Sequence, residues 1–269
     1  MSGALSPTLP GALPADLATV LSGWAFGFVL VLSRVAGAVM LLPGLGESGP
    51  PPMLRVGLAG ALTLLLLPLV HVLVPPVPAS AMQAAAMVLA EAVTGLWLGW
   101  LARVLALALP MAGQFAAYMI GLSNVLEPSG ALGGQSTALG QAFALAAAVT
   151  VLATGLWAMP VAALAGSFRL VPPGAWLAAG DTAAAVVAAV AGGFSLALRL
   201  AAPFILASIV WQAANGVVAR LIPRLQVYFL ALPAQLLGGL LLLALFAGAM
   251  LAAWQDAVRI GFERLPGLG

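Results

Sequence analysis

The chain is dominated by long apolar runs that a water-facing surface does not tolerate. Residues 236–253 contain no charged side chain, and similar runs fill much of the sequence. About 20 consecutive apolar residues cross the hydrocarbon core of a bilayer as an α-helix. A helix satisfies its own backbone hydrogen bonds in lipid, whereas strands of a membrane barrel alternate polar and apolar residues over about 10 positions. The runs therefore predict an all-α membrane protein.

Composition narrows the classes of function. Charged residues make up 6% of the 269 residues, compared with about 25% in soluble domains, so lipid or other subunits must cover much of the surface. The nine basic residues are all arginine and form no aromatic-interleaved cluster of the kind that binds nucleic acid. Cysteine is absent and His71 is the single histidine, which argues against a metal site. With no nucleophile turn or phosphate loop either, we expect no catalytic residue and no cofactor.

Prolines and glycines divide the runs into about six to seven long helices. Prolines inside three of the runs, Pro110, Pro203 and Pro233, predict kinks. A break near Pro110 and Gly113 divides the third run into a helix to about Leu109 and its continuation. The predicted helices cover residues 17–42, 54–74, 81–109 and the continuation after it, then 138–164, 182–221 and 227–260.

The distribution of proline and glycine also predicts the organisation of the chain. Residues 1–16 read as a flexible lead-in, and residues 17–165 as a first helical part. A Pro/Gly connector at residues 166–181 then leads to a helical hairpin at residues 182–269. We expect the hairpin to form a second structural unit.

Four charged residues lie inside the apolar runs: Arg34, Glu91, Arg103 and Arg199. A charge at the bilayer centre costs roughly 2.5–3.5 kcal/mol, so each is expected to pair, face a bundle interior or line water. Arg34 is a candidate partner for Glu91 across a helix contact. One interpretation makes these residues fasteners between helices or subunits, and the alternative makes Glu91 the coupling carboxylate of a secondary transporter for a small solute or ion. Gly95 and Gly99, four residues apart, would let another helix backbone approach closely.

Several short motifs follow one another in a definite order along residues 21–260. They are Arg34 with Pro43 and the turn before Arg55-Val56-Gly57-Leu58; Glu91-x-x-x-Gly95-x-x-x-Gly99; Ala112-Gly113-Gln114-Phe115 followed by Met119-x-Gly121-Leu122-Ser123; Glu127-Pro128; Gly166-Ser167-Phe168 with Pro172; and Ala214-Asn215-Gly216 followed by Arg220-Leu221-Ile222-Pro223. Together they resemble the FliR family of the flagellar export apparatus, whose injectisome relatives are the T subunits of type III secretion export gates.

This resemblance implies a structural, non-enzymatic channel subunit of the flagellar type III protein export gate. Such a subunit belongs to the bacterial inner membrane within the flagellar basal body. Its implied partners are P-type and Q-type gate subunits, other export components, unfolded export substrates and membrane lipid, with no nucleic acid. The first helical part is expected to resemble the P-type subunit, and the C-terminal hairpin the Q-type subunit.

The resemblance further implies a loop that helps to close the pore, at about residues 113–134. The matching pore or plug residues are Gly113, Phe115, Met119, Gly121, Asn124, Glu127 and Pro128. The residues expected to pack helices or subunits together are Arg34, Glu91, Gly95, Gly99, Arg103, Arg199, Arg220 and Pro223. Glycine and proline suit an irregular segment, which at membrane depth must be buried in protein or line a cavity.

Overall fold

The computed structural model describes residues 15–44, 51–122, 137–221 and 227–268. All regular structure in these ranges is helical, which confirms the predicted fold class. A short 3₁₀ turn, His71–Leu73, extends the second helix. The α-helices are α1 (Ala15–Leu41), α2 (Pro52–Val70), α3 (Ala81–Ala106), α4 (Ala108–Ile120), α5 (Ala138–Ala153), α6 (Ala158–Leu170), α7 (Ala179–Leu221) and α8 (Val227–Glu263).

Five stretches of the described chain are long and apolar enough to cross a membrane. One of them, residues 81–120, combines α3 and α4, which are separated by the single residue Leu107. The prediction counted these two helices separately and counted residues 138–164 as one helix, so its seven helices correspond to the eight α-helices of the described ranges. A sixth span arises if the bent pair of α5 and α6 is counted as one.

Residues 113–120 of the predicted plug loop are helical and belong to α4. This agrees with the predicted continuation of the third apolar run, but the loop prediction was wrong for these residues. Pro110 lies in the first turn of α4, where a missing N–H is tolerated, and it therefore does not prevent the helix from continuing. Helix α4 ends at Gly121, whose φ of 80° is left-handed and favours glycine.

Three other predicted boundaries also change. The predicted helix 138–164 is two helices, α5 and α6, bent by 69° at a turn where Gly155 has a φ of 73°. Helix α6 continues to Leu170 and α7 begins at Ala179, so the non-helical connector is residues 171–178 rather than 166–181. Helix α1 begins at Ala15, inside the predicted lead-in. By contrast, α5 starts where expected, because the Thr137 hydroxyl accepts a hydrogen bond from the Gly140 N–H.

The core is built around α3 and α4. Helix α1 packs along α3, and α2 packs on α1, whereas α5, α7 and α8 pack around α4. Small side chains on α4, Ala112, Ala116 and Ala117, are fully buried and allow this crowding. The hairpin helices α7 and α8 therefore share a core with the preceding helices. The division into P-like and Q-like parts stays a prediction.

Trp254 on α8 joins this helix to the junction of α3 and α4. Its ring is fully buried, and its Nε1–H donates a hydrogen bond to the carbonyl oxygen of Ala106 at 3.2 Å. In an unbroken helix the N–H of residue 110 would donate to that oxygen, but residue 110 is proline and has no N–H. The indole thus supplies the donor that Pro110 removes.

We expect Trp254→Phe to lower the free energy of unfolding by roughly 1–3 kcal/mol, because it leaves the Ala106 carbonyl buried without a donor. In a Pro110→Ala background residue 110 regains its N–H, and the cost of Trp254→Phe should fall. The measurement is helix unfolding of the detergent-extracted full chain, followed by circular dichroism at one fixed protein concentration for all four members of the double-mutant cycle.

The matched control is Trp176→Phe, because Trp176 is 60% exposed and its loss should change stability little. Equal costs of Trp254→Phe with and without Pro110 would contradict the compensation.

Candidate functional site

Arg34 on α1 and Glu91 on α3 form a fully buried ion pair. The Arg34 Nε lies 2.7 Å from Glu91 Oε2, and both side chains are 0% exposed. The Arg34 Nη2 also donates to Glu91 Oε1 at 2.8 Å. Two parallel bonds between a guanidinium and a carboxylate are the strongest arrangement this pair of groups can make. The contact suggested by the sequence is therefore present.

Polar groups of α6, and of the connector that follows it, form further hydrogen bonds with the two charged side chains. Arg34 Nη1 donates to the hydroxyl of Ser167 at 3.2 Å, and Nη2 donates to the carbonyl of Val171 at 2.9 Å. The backbone N–H of Gly174 donates to Glu91 Oε1 at 2.8 Å. The guanidinium carbon lies 4.2 Å from the centroid of the Phe168 ring, which favours a cation. We call these residues, together with Arg34 and Glu91, the Arg34–Glu91 cluster.

The cluster connects four parts of the chain: α1, α3, α6 and residues 171–178. Burial of two charges is favourable only when their geometry is good and their remaining hydrogen-bonding groups are satisfied. Both conditions hold here. Both Glu91 oxygens accept hydrogen bonds within the protein, so the geometry suits a fastener better than a carboxylate that exchanges protons or ions with water.

Glycines bring α1 and α3 close together beside the cluster. A Cβ atom on Gly95 would overlap the carbonyl oxygen of Arg34, and one on Gly99 would lie 2.6 Å from the carbonyl oxygen of Ala38. From the opposite helix, a Cβ on Gly37 would lie 2.8 Å from the carbonyl oxygen of Ala92. The three glycines thus permit direct backbone contact. Sequence reasoning missed Gly37, although it lies one helical turn after Arg34.

The described residues of the predicted plug lie at helix contacts of α4. Gly113 faces α5, where a Cβ would lie 2.5 Å from the Phe143 ring. The Phe115 ring meets that of Phe194 on α7 edge to face, with centroids 6.2 Å apart. Near the end of α4, the carbonyl of Met119 accepts a hydrogen bond from Gln235 Nε2 at 3.1 Å.

Gly121, the left-handed cap of α4, also faces Gln235. A mainly apolar cavity of about 190 Å³ lies here between α4, α7 and α8, lined in part by Met119, Ser208 and Gln235. The three remaining plug residues, Asn124, Glu127 and Pro128, lie outside the described residues.

The other predicted packing residues are not part of the cluster. Arg103 is half-buried in the last turn of α3. Arg199 and Arg220 are exposed on α7, and Pro223 lies outside the described residues. The structure thus brings together Arg34, Glu91, Gly95 and Gly99.

Three residues with specific contacts were not among the predicted site residues, although Ser167 belongs to one of the family motifs. Ser167 and Gly174 complete the hydrogen bonding of the ion pair, and Gln235 links α8 to the end of α4. Gln235 had a detectable signal, because it is a polar residue within an apolar run. Within the described ranges, no group of three or more His, Asp or Glu side chains is arranged to hold a metal ion.

We expect Glu91→Gln to destabilise the protein by roughly 3–5 kcal/mol, because it leaves the Arg34 charge buried without a counter-charge. Glutamine keeps the volume but presents amide N–H donors toward the donors of Arg34 and Gly174. The measurement is the fraction of detergent-extracted full chain that stays soluble and helical on heating.

Ser167→Ala is the matched control, since it removes a neutral partner of the same guanidinium and should cost about 1 kcal/mol. A Glu91→Gln variant as stable as the parent would show that the pair does not fasten the helices.

Comparison with known proteins places these features in a family. The model of "Bacterial export proteins, family 1" matches residues 25–260. The chain is 34% identical over 230 residues to the flagellar biosynthetic protein FliR of Caulobacter vibrioides, which covers 86% of this chain and 92% of that protein. It is 25% identical over 248 residues to FliR of Bacillus subtilis, covering 90% and 93% of the two chains. This chain therefore belongs to the FliR family of bacterial export proteins.

Proposed function

We propose that the chain is a structural, non-catalytic channel subunit of the flagellar type III protein export gate, which forms part of the conduit for unfolded export substrates. Membership of the FliR family and the apolar helices support a membrane component of the flagellar export apparatus. We further propose that it lies in the bacterial inner membrane, within the basal body. The observation that supports a structural role is that the ion pair of the Arg34–Glu91 cluster is fully buried and hydrogen-bonded within the chain.

The uneven burial of the helices supports assembly with other subunits. In their apolar windows, 44% of the α1 residues are buried within the chain, but only 17% in α7 and 11% in α8. Two long helices thus present most of their surface to neighbours outside the chain. We infer that P-type and Q-type gate subunits cover part of this surface, while lipid and other export components cover the rest.

The transporter alternative depends on Glu91 as a coupling group. A coupling carboxylate must alternate between protein and water, whereas Glu91 is fully buried and accepts hydrogen bonds from Arg34 and from the N–H of Gly174. We therefore favour the conduit, in which transport does not require Glu91 to change its protonation.

We infer that the segment after α4 helps to close the pore. Helix α4 lies among α5, α7 and α8, and its end is held to α8 through Gln235. A left-handed glycine, Gly121, redirects the chain there. The proposed closing segment comprises residues 121–134, which include Asn124, Glu127 and Pro128.

We expect the full chain expressed alone to form heterogeneous oligomers in detergent, and co-expression with P-type and Q-type subunits to give one discrete complex. The physical reason is the exposed apolar surface of α7 and α8. Size-exclusion chromatography with mass determination is the measurement.

Loss of the chain from its own bacterium should abolish flagellar export, and the parent chain should restore motility.

In the same assay Glu91→Gln should reduce export only in proportion to the amount of complex formed. A monodisperse isolated monomer that carries a small solute into liposomes would falsify the gate assignment.

We expect deletion of residues 124–134 to leave the complex assembled but to increase its ion conductance in planar bilayers, because a closing segment is removed. An equally long deletion at residues 2–12, in the predicted lead-in, is the matched control and should not change the conductance. An assembled complex with unchanged conductance would contradict a closing role for this segment.

A further inference from the structure

Helix α7 buries one narrow stripe against its own chain. The buried residues recur at three- and four-residue spacing, which places them on one face of the helix. They are Gly193, Ala197, Leu200, Ala201, Phe204 and Ser208. The opposite face of α7 is therefore directed away from the chain.

Arg199 lies on that opposite face. At about 100° per residue it is displaced by about 200° from Ala197 and from Ala201, and its side chain is exposed. Among the described residues, no carboxylate forms an ion pair with it. Arg199 thus differs from Arg34, whose charge is neutralised within the chain.

Arg199 lies at the middle of α7, far from both ends of the helix. Helix α7 extends about 30 Å to either side of it at 1.5 Å per residue, so the side chain cannot reach either end. An arginine facing lipid at such a depth costs roughly 2.5–3.5 kcal/mol on insertion scales. With this part of α7 in the hydrocarbon core, the surroundings of Arg199 in the assembled protein must accept hydrogen bonds.

The residues around Arg199 permit a close neighbour. Gly192, Ser195 and Ala202 lie one or two turns away on the same face and are small, and a Cβ on Gly192 would meet nothing within 4 Å. In addition, Pro203 has no N–H to donate to the carbonyl of Arg199. We call the residues Gly192, Ser195, Arg199 and Ala202 the outer face of α7.

We propose that the outer face of α7 packs against a membrane helix of another subunit, and that this helix supplies a carboxylate to Arg199. A carboxylate matches the forked donors of a guanidinium and neutralises its charge. The Arg34–Glu91 pair shows the same solution inside this chain. The inference rests on the proposed multi-subunit gate and names one contact within it.

The first test is charge reversal in the complex purified through a tag on this chain. We expect Arg199→Glu to reduce the amount of co-purified partner by at least about tenfold. The new carboxylate would face the carboxylate of the partner helix in a buried contact, and the two like charges repel each other. Arg199→Lys keeps the charge and should retain most of the partner. Arg259→Glu is the matched control, since Arg259 is an exposed arginine near the end of α8 and is not among the predicted packing residues, and it should have little effect.

Folding of the chain is measured separately by heating the detergent-extracted variants. Arg199 has no ion-pair partner among the described residues, so Arg199→Glu should unfold at the same temperature as the parent. Loss of partner with unchanged unfolding supports the proposal. Full retention of partner, or a loss explained by a lower unfolding temperature, overturns it.

The second test identifies what faces Arg199. The chain contains no cysteine, so Arg199→Cys introduces a unique thiol. In the assembled complex this thiol should resist a membrane-impermeant maleimide, whereas the thiol of Arg259→Cys, near the exposed end of α8, should react. A photoreactive amino acid at position 199 should cross-link to another subunit. Labelling at position 199, as in a water-filled channel, or cross-links to lipid alone would overturn the proposal.

The two levels of inference fail differently. If the parent chain forms no complex with P-type and Q-type subunits, the proposed function fails. If the parent assembles and Arg199→Glu assembles equally well, the gate assignment stands and the contact at Arg199 is wrong.

Discussion

A charge that is buried away from water requires a counter-charge within the protein. Arg34 and Glu91 meet this requirement for each other, and the packing of α1, α3 and α6 brings their partners together. Satisfying both groups takes more than two helices, because each group has several hydrogen-bonding positions. Helix α6 returns to provide the Ser167 hydroxyl, and the connector provides the N–H of Gly174. The bend between α5 and α6 leads the chain into this return. The ion pair thus holds α1, α3, α6 and the connector together.

Close packing around the pair depends on residues that carry little or no side chain. Gly95 and Gly99 let α1 and α3 touch through their backbones, which fixes the distance that the Arg34 side chain must cover. Proline has the opposite effect, since Pro110 removes a donor and leaves a carbonyl to be satisfied elsewhere. Trp254 satisfies it from α8. The interruption in the α3–α4 helix is therefore also an attachment point for a helix distant in sequence.

The sequence predicted features that arise from local composition and from the cost of buried charge. The fold class and the limits of α7 and α8 follow from apolar runs and their prolines. The Arg34–Glu91 contact was suggested because charges inside apolar runs are expected to pair. The bend at Gly155 was missed, since a single glycine in an apolar run is common in membrane helices. The apolar run after Leu109 predicted a continuing helix, as α4 shows, whereas the loop bound at residue 113 came from the resemblance and was wrong because these residues are buried among α5, α7 and α8.

Among the described residues, the requirement for a counter-charge is met for Arg34 but not for Arg199. Arg34 is neutralised by Glu91 within the chain, whereas Arg199 points away from it at the middle of a long apolar helix. A protein that was complete by itself would gain stability by replacing such an arginine with an apolar residue. Its presence is reasonable if specificity for a neighbour offsets the cost, because a buried ionic contact fixes the register of one helix against another. We therefore infer that the chain is one subunit of an assembly in which the charge of Arg199 is neutralised by a neighbouring subunit.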